Sequence, residues 1–261
     1  MAQKPDEIAI PDFTFGINQV FGAAFDSGWR TFPGPYLLYA STGAFHLEVG
    51  RARWLLPPQR AAWVAANTEL RLSAAGAGTT SSVLFRAGTI APLWFSCRVF
   101  SVSALAREML LYAVRWGPER DASESSAEAF FQALAAVCVE LAAEPDELWL
   151  PRAASGELER AMEYTLANLA DQPTFAEVAG AVSVSERTLA RRFAEEAAMT
   201  WSEYARRARM IRAMELLADP GAKVLGVADA VGFASLSAFN RAFREFTGET
   251  PSAYRRRVRP L

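Results

Sequence analysis

The stretch SVSERTLARRF, Ser183 to Phe193, returns in altered form as FASLSAFNRAF, Phe233 to Phe243. Leu189 and Phe193 correspond to Phe239 and Phe243, 50 positions on. Each pair is spaced i, i+4, so each puts two apolar groups on one helix face, pointing at a core. Arg191 corresponds to Arg241 on the opposite, exposed face. Upstream, Ala179 corresponds to Ala228 at an offset of 49, so the second turn carries one extra residue. Short helix, tight turn and amphipathic helix make a helix-turn-helix, and this chain holds two, at 175–196 and 224–247. Between them Trp201 to Ala218 reads as one apolar-striped helix, roughly 27 Å long at ~1.5 Å per residue. A rod of that length can hold two recognition helices about one duplex turn (~34 Å) apart.

The rest of the chain divides by period. From Tyr36 to about Val102 short alternating runs (YLLYA, AFHLEV, ARWLL, AAWVAA, TELRLS, SSVLF, CRVFSV) are broken by turn residues, as in a β-sandwich or small barrel. Beyond Ser103 the spacing becomes helical in ALAREMLLYAVRW and SSAEAFFQALAAVCVELAA. EPDELWLPRAASG reads as the boundary, and everything after Gly156 reads as helix, closed by a basic tail, AYRRRVRP. The expected fold class is α+β multidomain: a β-barrel unit over 1–102, a helical dimerisation or linker segment over 103–150, and an all-α unit over 156–261.

Charge follows the same division. From Ser183 onward there are 14 Lys+Arg against 9 Asp+Glu, and in the remainder 13 against 20. The chain is acidic in front and basic behind, although its net charge is −2. The opening MAQKPDEIAI lacks a basic flank and an apolar run of signal-peptide length, and AFFQALAAVCVELAA is too short and too polar for a membrane span. A cytoplasmic protein is expected. Cys97 and Cys138 have no CxxC spacing, and His46 is the single histidine, so no metal site and no cofactor are expected. His46 alternates with Phe45 and Leu47, which places it on the Glu48 side of its strand.

Residues 159 to 257 resemble the DNA-binding domain of AraC/XylS-type transcriptional regulators. VSERTLARRF, WSEYARRARMIRAMELL and above all VADAVGFASLSAFNRAFREFTGETPSAYRR carry the resemblance. LLYASTGAFHLEVGRARWLLPPQRAAWV and VFSVSALAREMLLYAV resemble the cupin-type sensor barrel of the same family and its following helices. Two departures fall in the first repeat: Ser183 and Ala198 stand where the family usually has glycine. The resemblance implies a bacterial, nucleoid-associated regulator that binds double-stranded DNA, pairs as a homodimer through the helices between Ser103 and Ala143, and contacts RNA polymerase. Activation and repression both fit.

On that reading Arg187 and Arg191, four apart, face bases, and either can form the bidentate contact to guanine. Thr188 reaches a base edge and Arg192 a phosphate. In the second helix Leu236, Ser237, Ala238 and Arg241 form the matching face, with Asn240 and Arg244 at its edge. Ser185 and Ser235 are N-caps. Arg255, Arg256, Arg257 and Arg259 are solvated or phosphate-facing. Tyr36, Tyr39, Trp54, Trp63 and Trp94, with Phe95, are candidates to line an apolar pocket for a small-molecule effector. Two other functions compete: a cupin-type enzyme fused to a DNA-binding domain, and a regulator that senses alkylation or redox state through Cys97 or Cys138.

Overall fold

The computed structural model describes residues 11–144, 148–219 and 221–258, which form two compact units. The opening decapeptide and Arg259 lie outside the described residues. The first unit runs to Gly50 and from Leu56 to Glu147; the second takes in Arg51–Leu55 and Leu148–Leu261. Expected to begin at Gly156, the helical unit thus also contains two stretches of extended chain.

In the first unit, β1 (Phe15–Phe21), β8 (Gly78–Leu84), β3 (Tyr36–Thr42), β6 (Arg60–Val64) and β9 (Cys97–Ser101) form one antiparallel sheet in that order. A second sheet runs through β4 (Phe45–Val49), β7 (Leu70–Ala74) and β2 (Phe25–Arg30). The register sorts side chains by parity. Leu37, Tyr39, Ala61, Trp63, Val83 and Phe85 share one face of the first sheet and pack under α1 (Ala104–Ala113) and α2 (Ser125–Leu141). Each large apolar side chain buried there is worth about 1.5–3 kcal/mol. The opposite face carries Tyr36, Leu38, Ala40, Thr80 and Ser82 and meets the second sheet. The Phe21 and Phe45 rings lie 5.6 Å apart, and a Cβ on Gly78 would stand 2.7 Å from the Phe45 ring. The unit is a double-sheet β structure followed by helices.

Two strands precede the ones the sequence suggests. β1 is a half-exposed edge strand carrying Asn18 and Gln19, and β2 is bent by a bulge between Asp26 and Trp29, with Gly28 at φ +63°. Neither shows a clean alternation. His46 and Glu48 are half-buried between the buried Phe45, Leu47 and Val49, as alternation requires.

The second unit opens with a two-stranded ribbon of β5 (Ala52–Leu56) and β10 (Trp149–Pro151), registered Trp54 to Trp149 and Pro151 to Ala52. Its helices are α3 (Gly156–Ala167), α4 (Phe175–Ala181), α5 (Glu186–Ala197), α6 (Trp201–Leu217), α7 (Val224–Ala230), α8 (Leu236–Thr247) and α9 (Pro251–Val258). The long α6 buries Tyr204, Ala208, Ile211, Met214 and Leu217 at the centre of this unit. The ribbon packs on it, with the Arg207 guanidinium 5.0 Å from the Trp149 ring centroid. The basic tail is helix α9: Thr250 caps it by accepting from the Ala253 N–H, and Tyr254 and Val258 bury its inner face.

Candidate nucleic-acid interface

Each recognition helix is entered the same way. In the first repeat the Val184 N–H donates to the Ala179 carbonyl across the turn (3.1 Å), and in the second Phe233 donates to Ala228 (2.9 Å). Both bonds keep the offset of 49, so the inserted residue of the second repeat follows Phe233. Ser185 and Ser235 cap α5 and α8 by accepting from the N–H of Thr188 and of Ala238, both at 3.2 Å. Leu189 and Phe193, like Phe239 and Phe243, are fully buried. The correspondence also extends further than the quoted repeats: Phe193 stacks on Tyr204 at 5.7 Å and Phe243 on Tyr254 at 5.6 Å. The tyrosines are again 50 positions apart, each buried one helix beyond its phenylalanine. That spacing stood in the sequence as a missed signal.

The turns differ in strain. Gly232 lies at φ +78°, and a Cβ there would stand 2.5 Å from the Leu169 carbonyl oxygen. Its counterpart Ser183 takes the same left-handed conformation at φ +59° with a side chain in place. At the helix ends Ala198 (φ +52°) stands against Gly248 (φ +79°). The first repeat therefore holds two non-glycine residues in a conformation that costs an L-residue about 1–2 kcal/mol.

Arg187 and Arg191 on α5, and Arg241 and Arg244 on α8, are exposed and carry no ion pair among the described residues. Leu236 and Ser237 are exposed beside them, while Thr188, Ala238 and Asn240 are half-buried. The Thr188 hydroxyl lies 2.8 Å from that of Ser185. Arg192 is placed elsewhere. It is half-buried and contacts Glu157 and Glu196 at 3.4 Å each, because its position on α5 turns it toward α3. Arg255 donates to the Ala222 carbonyl (2.7 Å) and Arg257 pairs with Glu249, so these two brace α9; Arg256 is exposed.

Carboxylates reinforce the helix starts. Glu177 and Glu203 close capping boxes with Thr174 and Thr200, whose backbone N–H and hydroxyl groups hold both acids below the usual carboxylate range. Burial acts to raise the pKa of Glu196, but hydrogen bonds from Ser155, Ala154 and Arg192 outweigh it and leave it lowered.

The effector candidates do not converge. Tyr36 and Tyr39 are three apart in one strand and face opposite sides of the sheet, and Trp63 joins Tyr39 under the helices. Trp54 belongs to the ribbon, stacked on Trp149 at 5.9 Å. Trp94 is 72% exposed, with the Arg98 guanidinium 3.8 Å from its ring centroid. Of the five, Tyr36 alone faces the space between the sheets. Its hydroxyl donates to Ser82 Oγ (3.0 Å), and burial raises its pKa. On the same face Thr80 Oγ1 is buried without a hydrogen-bond partner. Burial pushes the Cys138 thiol up to about 12 and Cys97 higher still, so both stay protonated and poorly nucleophilic. Among the described residues no cluster of three or more His, Cys, Asp or Glu could hold a metal, and no helix is long and apolar enough to cross a membrane.

The chain is similar in sequence to known transcriptional regulators. A family model described as a helix-turn-helix domain matches residues 178–257. The HTH-type transcriptional regulator NimR of Escherichia coli K12 is 27% identical over 220 residues, covering 84% of this chain and 78% of NimR. The HTH-type transcriptional regulator RipA of Corynebacterium glutamicum is 39% identical over 92 residues, 35% of this chain and 28% of RipA. Among solved structures, a DNA-binding transcriptional dual regulator from Escherichia coli K-12 is 29% identical with a TM-score of 0.37, covering 40% of this chain and 93% of that one. ToxT from Vibrio cholerae is 13% identical with a TM-score of 0.40, covering 95% and 99%.

Proposed function

We propose that this chain is a DNA-binding transcriptional regulator of the AraC type, which reads duplex DNA with α5 and α8 under control of a small molecule held by its β unit. One observation carries the reading of the interface. Two helices with the same cap and the same buried pair present an unpaired arginine, Arg191 and Arg241, at equivalent exposed positions. Arg187, Arg191 and Arg241 then read base edges, with Leu236 and Ser237 in apolar and hydroxyl contact. Asn240 and Arg244 flank that face, Thr188 and Ser235 line the helix starts, and Arg256 takes phosphate. Arg192 is set aside as a structural pair.

On this reading 1–102 serves sensing, 103–150 dimerisation and 156–261 DNA binding, except that 51–55 and 148–155 go with the last. Between the sheets, Tyr36, Thr80 and Ser82 are the polar groups that would orient an effector. A homodimer through α1 and α2 is supported by apolar side chains left in the open: Leu105 is 61% exposed, and Met109, Tyr112 and Phe130 line an open cleft of about 460 Å³. A regulator of this build works in the cytoplasm, beside RNA polymerase, and performs no enzymatic chemistry.

The test is electrophoretic retardation of the full chain on promoter fragments, beginning with the one upstream of its own gene, over a salt series. Binding that is sequence-selective and falls steeply with salt supports the reading. Folded protein that retards no fragment at low salt overturns it.

A further inference from the structure

The two recognition helices differ sharply near their ends: α5 carries Glu196 where α8 carries Phe246. A carboxylate in the last turn faces the negative end of the helix dipole, so helix stability does not account for it. Its partners do. Glu196 Oε2 accepts from the backbone N–H groups of Ala154 (3.0 Å) and Ser155 (2.8 Å). Oε1 accepts from the Ser155 hydroxyl (2.7 Å) and from Arg192 Nη1 (3.4 Å), and Arg192 reaches on to Glu157. The Glu196 carbonyl accepts from Arg51 (3.4 Å), and the Arg51 carbonyl accepts from the Arg152 N–H (2.8 Å). Arg51 leads into β5, and Arg152 to Ser155 lead out of β10. The last turn of α5 is therefore clamped to both strands at one end of the ribbon. No bond among the described residues ties α8 to the ribbon.

We propose that Glu196 is the positioning residue of the first recognition helix, and that through it the ribbon sets how α5, and not α8, presents its arginines to DNA. The proposal rests on the reading of α5 and α8 as DNA-reading helices. Its consequence is directional. β5 continues the chain from β4 of the sensor unit, so a shift of the ribbon reaches half of the binding site. Regulation then acts by engaging or releasing the first half-site while the second stays held.

Site selection from a random DNA pool, with the full chain, tests this. The first half-site is defined as the base pairs whose preference is lost in Arg191→Ala. Glu196→Ala is expected to reduce preference there at least tenfold on the scale of a lost bidentate contact, and to change the second half-site less than about twofold. Glu196→Gln is expected to restore most of the loss, because its amide oxygen still accepts the two backbone N–H bonds. A residue that only stabilises the fold would weaken both half-sites together and would not be rescued in one alone. If Glu196→Ala fails to fold, the double variant Arg51→Ala/Ser155→Ala removes the side-chain part of the clamp from outside α5, leaves the two backbone N–H bonds, and should give a smaller loss confined to the same half-site. Unchanged preference at both half-sites, or equal loss at both, overturns the proposal. A wild-type chain that selects no sequence overturns the reading beneath it instead.

Discussion

The two helix-turn-helix repeats share a cap, a buried pair and an exposed arginine, yet they are stabilised in opposite ways. The second relies on backbone freedom: Gly232 and Gly248 take the left-handed turns, and Gly232 lies so close to the end of α3 that no side chain fits. The first accepts strain at Ser183 and Ala198 and is held from outside, by Ala154, Ser155, Glu157 and Arg51, which bond to its Glu196 and Arg192. A repeat held by its own glycines is self-sufficient, whereas one held by distant segments responds to them.

The sharpest test of this contrast is Gly232→Ala. A methyl group 2.5 Å from a carbonyl oxygen, at φ +78°, should cost about 2–4 kcal/mol of stability by chemical denaturation. Ser183→Ala, at the equivalent turn, should cost far less; equal losses would erase the distinction. Next in size are the readers themselves. Arg191→Ala and Arg241→Ala should each remove about 1–3 kcal/mol of preference, at base pairs roughly one duplex turn apart. Arg256→Ala, by contrast, should weaken all sequences alike and reduce the salt slope. Loss at the same base pairs in both arginine variants would leave one reader where two are expected. Smaller again, and opposite in sign, Ser183→Gly and Ala198→Gly should each raise stability by about 0.5–1 kcal/mol by relieving the left-handed strain. No gain in either would mean that the first repeat is not strained.

The smallest effect concerns pH. Asp26, held at about 2 by hydrogen bonds from Arg71 and the Gly28 N–H, and Glu177, Glu196 and Glu203 all have lowered pKa values. A carboxylate whose pKa is lower when folded stabilises fully above its unfolded value and loses that contribution as pH falls through the folded one. These groups should leave Tm flat from pH 8 to about 5 and lower it only below about 4. A fall in Tm that begins near pH 6 and disappears in Glu196→Gln would contradict that assignment.

Much of the helical unit was legible because its signals are local. The i, i+4 pairs and the serines before α5 and α8 follow from spacing and residue type, and the left-handed Ser183 from the family resemblance, which puts glycine at that turn. The exposed arginines were legible for the same reason. Arg192 was not, since Glu157 and Glu196 reach it only after α3 and α5 have packed, and the helical period alone leaves it beside Arg191. In the β half, strand parity was readable at His46 and also separates Tyr36 from Tyr39. Aromatic composition hid that separation. β2 and its bulge left no alternation to find, and β10 has three residues. The pairing of β5 with β10 joins segments nearly a hundred positions apart, and no local pattern encodes it.

That pairing also sets a schedule for synthesis. β5 leaves the ribosome long before β10, and at ~5–20 residues per second the interval is roughly 5–20 s. Throughout it the edge of β5 that will meet β10 has no partner, and the helices that complete its unit have not been made. The helical unit can finish folding only after the rest of the β unit has been translated. A nascent chain halted within the β unit therefore exposes one unpaired strand edge, a template for pairing with neighbouring chains on a polysome.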